Sequence, residues 1–186
     1  MTCGPSSAPG GSRCGPNARW SASATPSFER VGADGVSDCW QRATDPGNEG
    51  GFARAGFGHS GSSAEQLEIT SYAGGGRTLL ADVDRPDCAL PAQVGHSYRL
   101  SARYQMTPYD AGPPQVRLIA YVQSASTGAW RPLAESPPFP AAPGWRTMTW
   151  ETPPIPADAA ALSGGVTLQS PGLLTVDDMM STDVGP

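Results

Sequence analysis

The chain has 186 residues, a formal net charge of −5 and only 12 Lys and Arg, which are scattered. With no basic cluster, nucleic-acid binding is disfavoured, and no apolar run approaches the ~20 residues that a membrane-spanning helix needs. Gly 23 and Pro 20 imply many turns and short elements rather than long helices, in a chain long enough to bury a substantial core.

Residues 1–19 read as an extended leader, dominated by Gly, Pro and Ser and without periodicity. The leader has neither the basic start nor the apolar stretch of a signal peptide and suits a stub linking to a preceding domain. If the protein is secreted, the expectation is a mature or excised fragment with an added Met1. Residues 20–186 are expected to form one domain.

From Trp20 onward the pattern is strand, turn, strand. PSFERV (26–31) is the first predicted strand, and ADGVSD (33–38) is a polar turn into Cys39 and Trp40. FARAGF (52–57) is the second strand, followed by a tight loop, GHSGSS (58–63). QLEITSY (66–72) alternates, and RTLLADVD (77–84) follows a triple-glycine turn. SYRLSARYQM (97–106) is the clearest strand: Tyr98, Leu100, Ala102, Tyr104 and Met106 share one face, and Arg99, Ser101, Arg103 and Gln105 the other. QVRLIAYVQ (115–123) sets Val116, Leu118, Ala120 and Val122 against Arg117, Ile119, Tyr121 and Gln123. AWRPLA (129–134), WRTMTWE (145–151), ALSGGVTLQS (161–170) and LLTVDDMM (173–180) complete the set. With no segment able to serve as a crossover helix, the expected fold is all-β: an antiparallel two-sheet jelly-roll β-sandwich.

The cysteines are Cys3, Cys14, Cys39 and Cys88. Their spacing matches no zinc pattern, and four cysteines allow three pairings. The preferred one is Cys3–Cys14 with Cys39–Cys88. Disulfides together with this Gly, Pro and Ser content point to export, so the protein is expected to be secreted or extracellular.

A hydrolytic nucleophile is hard to find. Gly58-His59-Ser60-Gly61-Ser62 is not Gly-x-Ser-x-Gly, and no helix follows to build a nucleophile elbow. Glu29, Asp34, Asp38, Asp177 and Asp178 lie near the predicted first strand, first turn and last strand. Gathered together they would suit calcium, which takes 6–8 oxygen ligands; a glycosidase acid pair or plain surface carboxylates are the alternatives.

Aromatic side chains supply the remaining chemistry, since sugar C–H faces stack on rings and sugar hydroxyls bond to Arg, Asp, Asn and Gln. Trp40 and Trp150 are expected in the core, and Trp130, after a Gly-containing turn, at the surface. If the strands at 97–106 and 115–123 share a sheet, Arg99, Arg103, Arg117, Tyr121 and Gln123 line one face, with Trp130 nearby. Outward Arg side chains would also suit acidic sugars.

The order PSFE (26–29), DGVSDCW (34–40), GHSGSSA (58–64), YRLSARYQ (98–105), GWRTMTWETPPIP (144–156) and LTVDDMM (174–180) resembles the jelly-roll carbohydrate-binding modules with a galactose-binding-like fold, of the kind found in actinobacterial secreted glycan-active proteins. The resemblance spans roughly residues 25–180. Thr25 stands where the family's motif has Asn, and Ser37 where it has Pro. The resemblance implies a structural calcium at Glu29, at the loop around Ser60 and Gly61 through backbone oxygens, and at Asp177 or Asp178. It further implies a monomeric, non-catalytic module that binds a polysaccharide or oligosaccharide for a linked catalytic domain, with no nucleic-acid or membrane partner. A structural or adhesion sandwich of a cell surface is the second reading, and a small jelly-roll lyase or hydrolase the third.

Overall fold

The computed structural model describes residues 28–85 and 87–186. The leader, Trp20 and the Cys3–Cys14 pairing lie outside them. Eleven strands are formed: β1 (Trp40–Thr44), β2 (Glu49–Ala55), β3 (Ala64–Ser71), β4 (Arg77–Ala81), β5 (Leu90–Pro91), β6 (Ser97–Pro108), β7 (Val116–Ser124), β8 (Trp130–Glu135), β9 (Ala142–Glu151), β10 (Ala159–Leu168) and β11 (Gly172–Gly185). One sheet runs β1-β4-β10-β7-β8, with β5 also paired to β10; the other runs β2-β3-β11-β6-β9. Every pairing is antiparallel. The expected all-β two-sheet sandwich is the observed fold.

Period-2 alternation predicts the core well. Tyr98, Leu100, Ala102, Tyr104 and Met106 of β6 and Val116, Leu118, Ala120 and Val122 of β7 are all buried. They face Leu67, Ile69, Leu79, Leu162, Val166, Leu174 and Val176 from the neighbouring strands in one core. Trp40 is buried as expected and packs its ring 5.0 Å from that of Phe28. Trp150 is only partly buried against the core.

One expectation needs correction. Residues 26–31 form no strand among those described; Val31 makes a single bridge to Ser37. The strand at this end is instead β1, where the alternation is hidden by polar side chains that point inward. Arg42 reaches the fully buried Glu65 of β3 at 2.6 Å. Ser37 donates to the same carboxylate through its hydroxyl (2.6 Å) and its N–H (3.3 Å). Arg42 and Arg77 both lie over the Phe52 ring, at 5.6 and 5.4 Å. A buried charge is tolerated when it is paired and hydrogen-bonded in this way.

The preferred Cys39–Cys88 disulfide is present. It joins the residue before β1 to the loop after β4. The same loop is held by Asp82 N–H donating to the Cys39 carbonyl (2.9 Å) and by the Arg85–Asp38 ion pair (2.8 Å). The bridge spans a separation of 49 residues, which in the chain-entropy model stabilises by about 4 kcal/mol. The double variant Cys39→Ala/Cys88→Ala is therefore expected to lower the melting temperature by about 10 °C. An unchanged calorimetric melt would show that the bridge contributes little.

Candidate functional site

The six-stranded sheet turns its outer face to solvent, and its central strand has little side chain there. Ala161, Ser163, Gly165 and Thr167 alternate with the inward Leu162, Val166 and Leu168. In register, Gly165 lies between Leu80 of β4 and Ile119 of β7, and Ser163 lies beside Tyr121. Gly165 has no freedom to be larger, because a Cβ there would collide with the Leu79 carbonyl. With a low strip in the middle, the side chains on either side border a hollow of about 300 Å³.

Gln41, Ala43, Thr78 and Leu80 from β1 and β4 line this hollow, together with Tyr121 of β7 and Trp130 of β8. Thr44, Asp45 and Gly76 also line it, with Asp45 accepting a bond from the Gly76 N–H at 2.6 Å. Val83 lines it as well, and its carbonyl accepts the Trp130 indole N–H at 3.1 Å. That bond fixes the ring of a half-buried tryptophan at the mouth of the hollow. The Tyr121 hydroxyl is pushed above the usual tyrosine range by burial first, then by the negative charges of Glu135 and Asp45. It is therefore neutral at physiological pH and able to donate as well as accept.

Tyr121 and Trp130 are thus brought together, but the rest of the predicted face is divided. Strand β6 pairs with β11 and β9, whereas β7 pairs with β10 and β8. Arg99 and Arg103 consequently lie on the outer face of the five-stranded sheet, away from Tyr121, which corrects the expectation of a single surface. Both sheets have a polar outer face, so alternation alone does not say which sheet a strand joins. Arg99 pairs with Glu151 at 2.7 Å. Arg117 and Gln123 are on the expected sheet but are committed to it. Arg117 donates to the Ser136 carbonyl (2.9 Å) and to Gln115 Oε1 (3.1 Å), and lies 3.9 Å from Glu135. Gln123 donates to the Gly128 carbonyl at 3.0 Å, closing its own hairpin.

The residues proposed for calcium meet at the loop 58–63. The Glu29 carboxylate accepts the Ser62 and Ser63 N–H groups (2.9 Å each) and the Ser62 hydroxyl (3.0 Å). Burial opposes its ionisation, but these donors and Arg54 outweigh that and hold it below the usual carboxylate range. Gly61 lies directly against this carboxylate. The fully buried Asp177 accepts the N–H groups of His59 (2.8 Å), Ser60 (3.0 Å) and Asp178 (2.8 Å). Burial raises its pKa to about 6 despite those donors. Asp178 faces the other way, bonded to His59 Nδ1 at 2.6 Å and to the Ser60 hydroxyl; the His59 ring meets Trp145 edge-on at 5.8 Å. The three carboxylates are spread along the loop rather than gathered at one point. A closer oxygen set surrounds Gly58: Asp177 Oδ2 and the Ser60 and Ser63 carbonyls all lie within 2.8 Å of where its Cβ would be. Asp34 donates nothing to this site, since it caps its own turn at Val36 N–H. Asp38 is held by Arg30 and Arg85.

The wall formed by Gln41, Ala43, Asp45, Gly76, Thr78, Leu80 and Val83 escaped the sequence reading. The only signal for it was the run of small outward residues of β10, which becomes informative once β4 is placed beside β10.

No family model matches the sequence, and no curated protein matches it. The fold is nevertheless shared with solved jelly-roll carbohydrate-binding modules. The CBM22-1 xylan-binding domain from Paenibacillus barcinonensis Xyn10C is similar at 11% identity and a TM-score of 0.56, over 86% of this chain and 92% of that one. The CBM22-1 and GH10 modules of Clostridium thermocellum xylanase Xyn10B, complexed with xylohexaose, match at 14% identity and a TM-score of 0.58, over 89% of this chain and 29% of that one. A CBM4 protein matches at 13% identity and a TM-score of 0.55, over 87% of this chain and 99% of that one.

Replacing Asp177 by Ala leaves the N–H donors of His59 and Ser60 without their acceptor. The expected loss is about 2–3 kcal/mol, read as a lower urea midpoint at unchanged slope. A midpoint equal to that of the unaltered chain would show the loop to be held by other contacts.

Proposed function

We propose that the chain is a non-catalytic carbohydrate-binding module that holds a segment of polysaccharide in the hollow of the six-stranded sheet. The observation that carries this reading is the pairing of two half-buried aromatics, Tyr121 and Trp130, with hydrogen-bonding side chains around one hollow. Rings offer flat apolar faces for sugar C–H groups, while Gln41, Thr78 and the Tyr121 hydroxyl offer partners for sugar hydroxyls. The hollow is small but within the range of ligand sites. Because the Trp130 indole is fixed by Val83, less side-chain freedom is lost on binding.

A module of this kind serves a linked catalytic domain by raising its local concentration on the polymer. The Xyn10B match, in which a module of this fold is joined to a GH10 module, supports that arrangement. The Cys39–Cys88 bridge supports an exported protein. A structural calcium is proposed at the loop 58–63, where the Asp177 carboxylate and the Ser60 and Ser63 carbonyls would hold it, while Glu29 fixes the same loop from its other side. Bound there, the cation would supply charge to a buried carboxylate and tighten the loop.

Screening the protein against a broad array of glycans, with and without calcium, tests both parts. Tyr121→Ala and Trp130→Ala are expected to abolish retention on the polysaccharide that binds, with a melting temperature within about 3 °C of the unaltered chain. Normal binding by both variants would remove the hollow as the site, and silence of the unaltered chain across the array would favour a structural or adhesion sandwich. Chelation of calcium is expected to lower the melting temperature by several degrees, and no shift would remove the metal.

A further inference from the structure

We infer that the hollow selects its ligand by charge, accepting uncharged glycan chains and rejecting chains that carry uronates. This rests on the hollow being the binding site. Its wall carries negative charge. Asp45 lines it directly. Glu135 stands across β8, opposite Ile119 in register. The Asp45 and Glu135 charges are both felt by the Tyr121 hydroxyl inside the hollow.

The cations nearby are already engaged. Arg117 is held by Ser136, Gln115 and Glu135. Arg131 pairs with Asp158 at 2.8 Å, and Arg85 with Asp38 and Asp87. Arg42 and Arg77 point between the sheets, toward Glu65 and toward Thr44 and Asn48 respectively. A uronate entering the hollow would thus meet Asp45 and Tyr121, with every nearby guanidinium among the described residues already committed elsewhere. Like charges at such range repel, and salt screens the repulsion. The acidic-sugar reading of the outward arginines is therefore reversed for this face.

Affinity electrophoresis of the full chain separates the outcomes. The gels would carry arabinoxylan against glucuronoxylan, and hydroxyethyl-cellulose against carboxymethyl-cellulose. Retention is expected to be about tenfold stronger on the neutral member of a pair, with the gap narrowing at high salt. Asp45→Asn is expected to narrow it about threefold. Glu135→Gln, which leaves Arg117 without its carboxylate, should narrow it as well and serves as an independent variant. Equal retention on both members, unaffected by salt and by either variant, would overturn charge selection while leaving glycan binding intact. Stronger retention on the acidic member would overturn it too. No retention on either pair, together with silence on the glycan array, would mean that the hollow is not a glycan site, and the inference would fall with that reading.

Discussion

Strand β10 is enclosed on both of its faces, and much of the molecule follows from that constraint. Every residue from Leu162 to Leu168 is buried. Inward, Leu162, Val166 and Leu168 fill the core. Outward there is room only for Ser163, Gly165 and Thr167, and Gly165 is fixed by the approach of the β4 backbone. Ser163 donates to the Ala81 carbonyl at 2.6 Å, and the hydroxyls of Thr78 and Thr167 lie 3.1 Å apart, so even the polar side chains of this strip are spent on tying β10 to β4. A strand with bulky outward residues here would fill the hollow, and the face would be flat.

The fold was legible in the sequence wherever one side of a strand is apolar and the other polar. Strand β6 shows this cleanly and its buried set matches the reading; β7 buries Val116, Leu118, Ala120 and Val122 as read, but also Ile119, which alternation had set on the polar face. Strand β1 was missed because the interior it faces is partly ionic: Arg42 is directed inward by Glu65, a residue 23 positions further on, and no local pattern reveals such a partner. The pairing of Cys39 with Cys88 was preferred from the cysteine positions alone, yet the reason it matters is tertiary. It fastens the loop whose Val83 carbonyl orients Trp130.

The site was only half legible for a related reason. Tyr121 and Trp130 stand out as aromatics on a polar face or after a turn, and both reach the hollow. Arg99 and Arg103 stand out equally, yet they face away. Strands β6 and β7 are consecutive in the chain, but the connection at 109–115, rich in Gly and Pro, carries the chain from one sheet to the other. Whether such a connection turns back or crosses over depends on which neighbours complete each sheet. Those neighbours, β10 and β11, come last in the sequence.

The two sheets have divided their work. Outer residues of the six-stranded sheet border the hollow, whereas the middle of β11, in the other sheet, gives Asp177 to the loop 58–63. The two features share the core between the sheets but no side chain. Substitutions can therefore alter the walls of the hollow, such as Asp45, Gln41 and Trp130, without disturbing Asp177, Gly58 or Glu29. A fold held on one side while the walls of the hollow are free to vary on the other is compatible with a shared fold at only 11–14% identity.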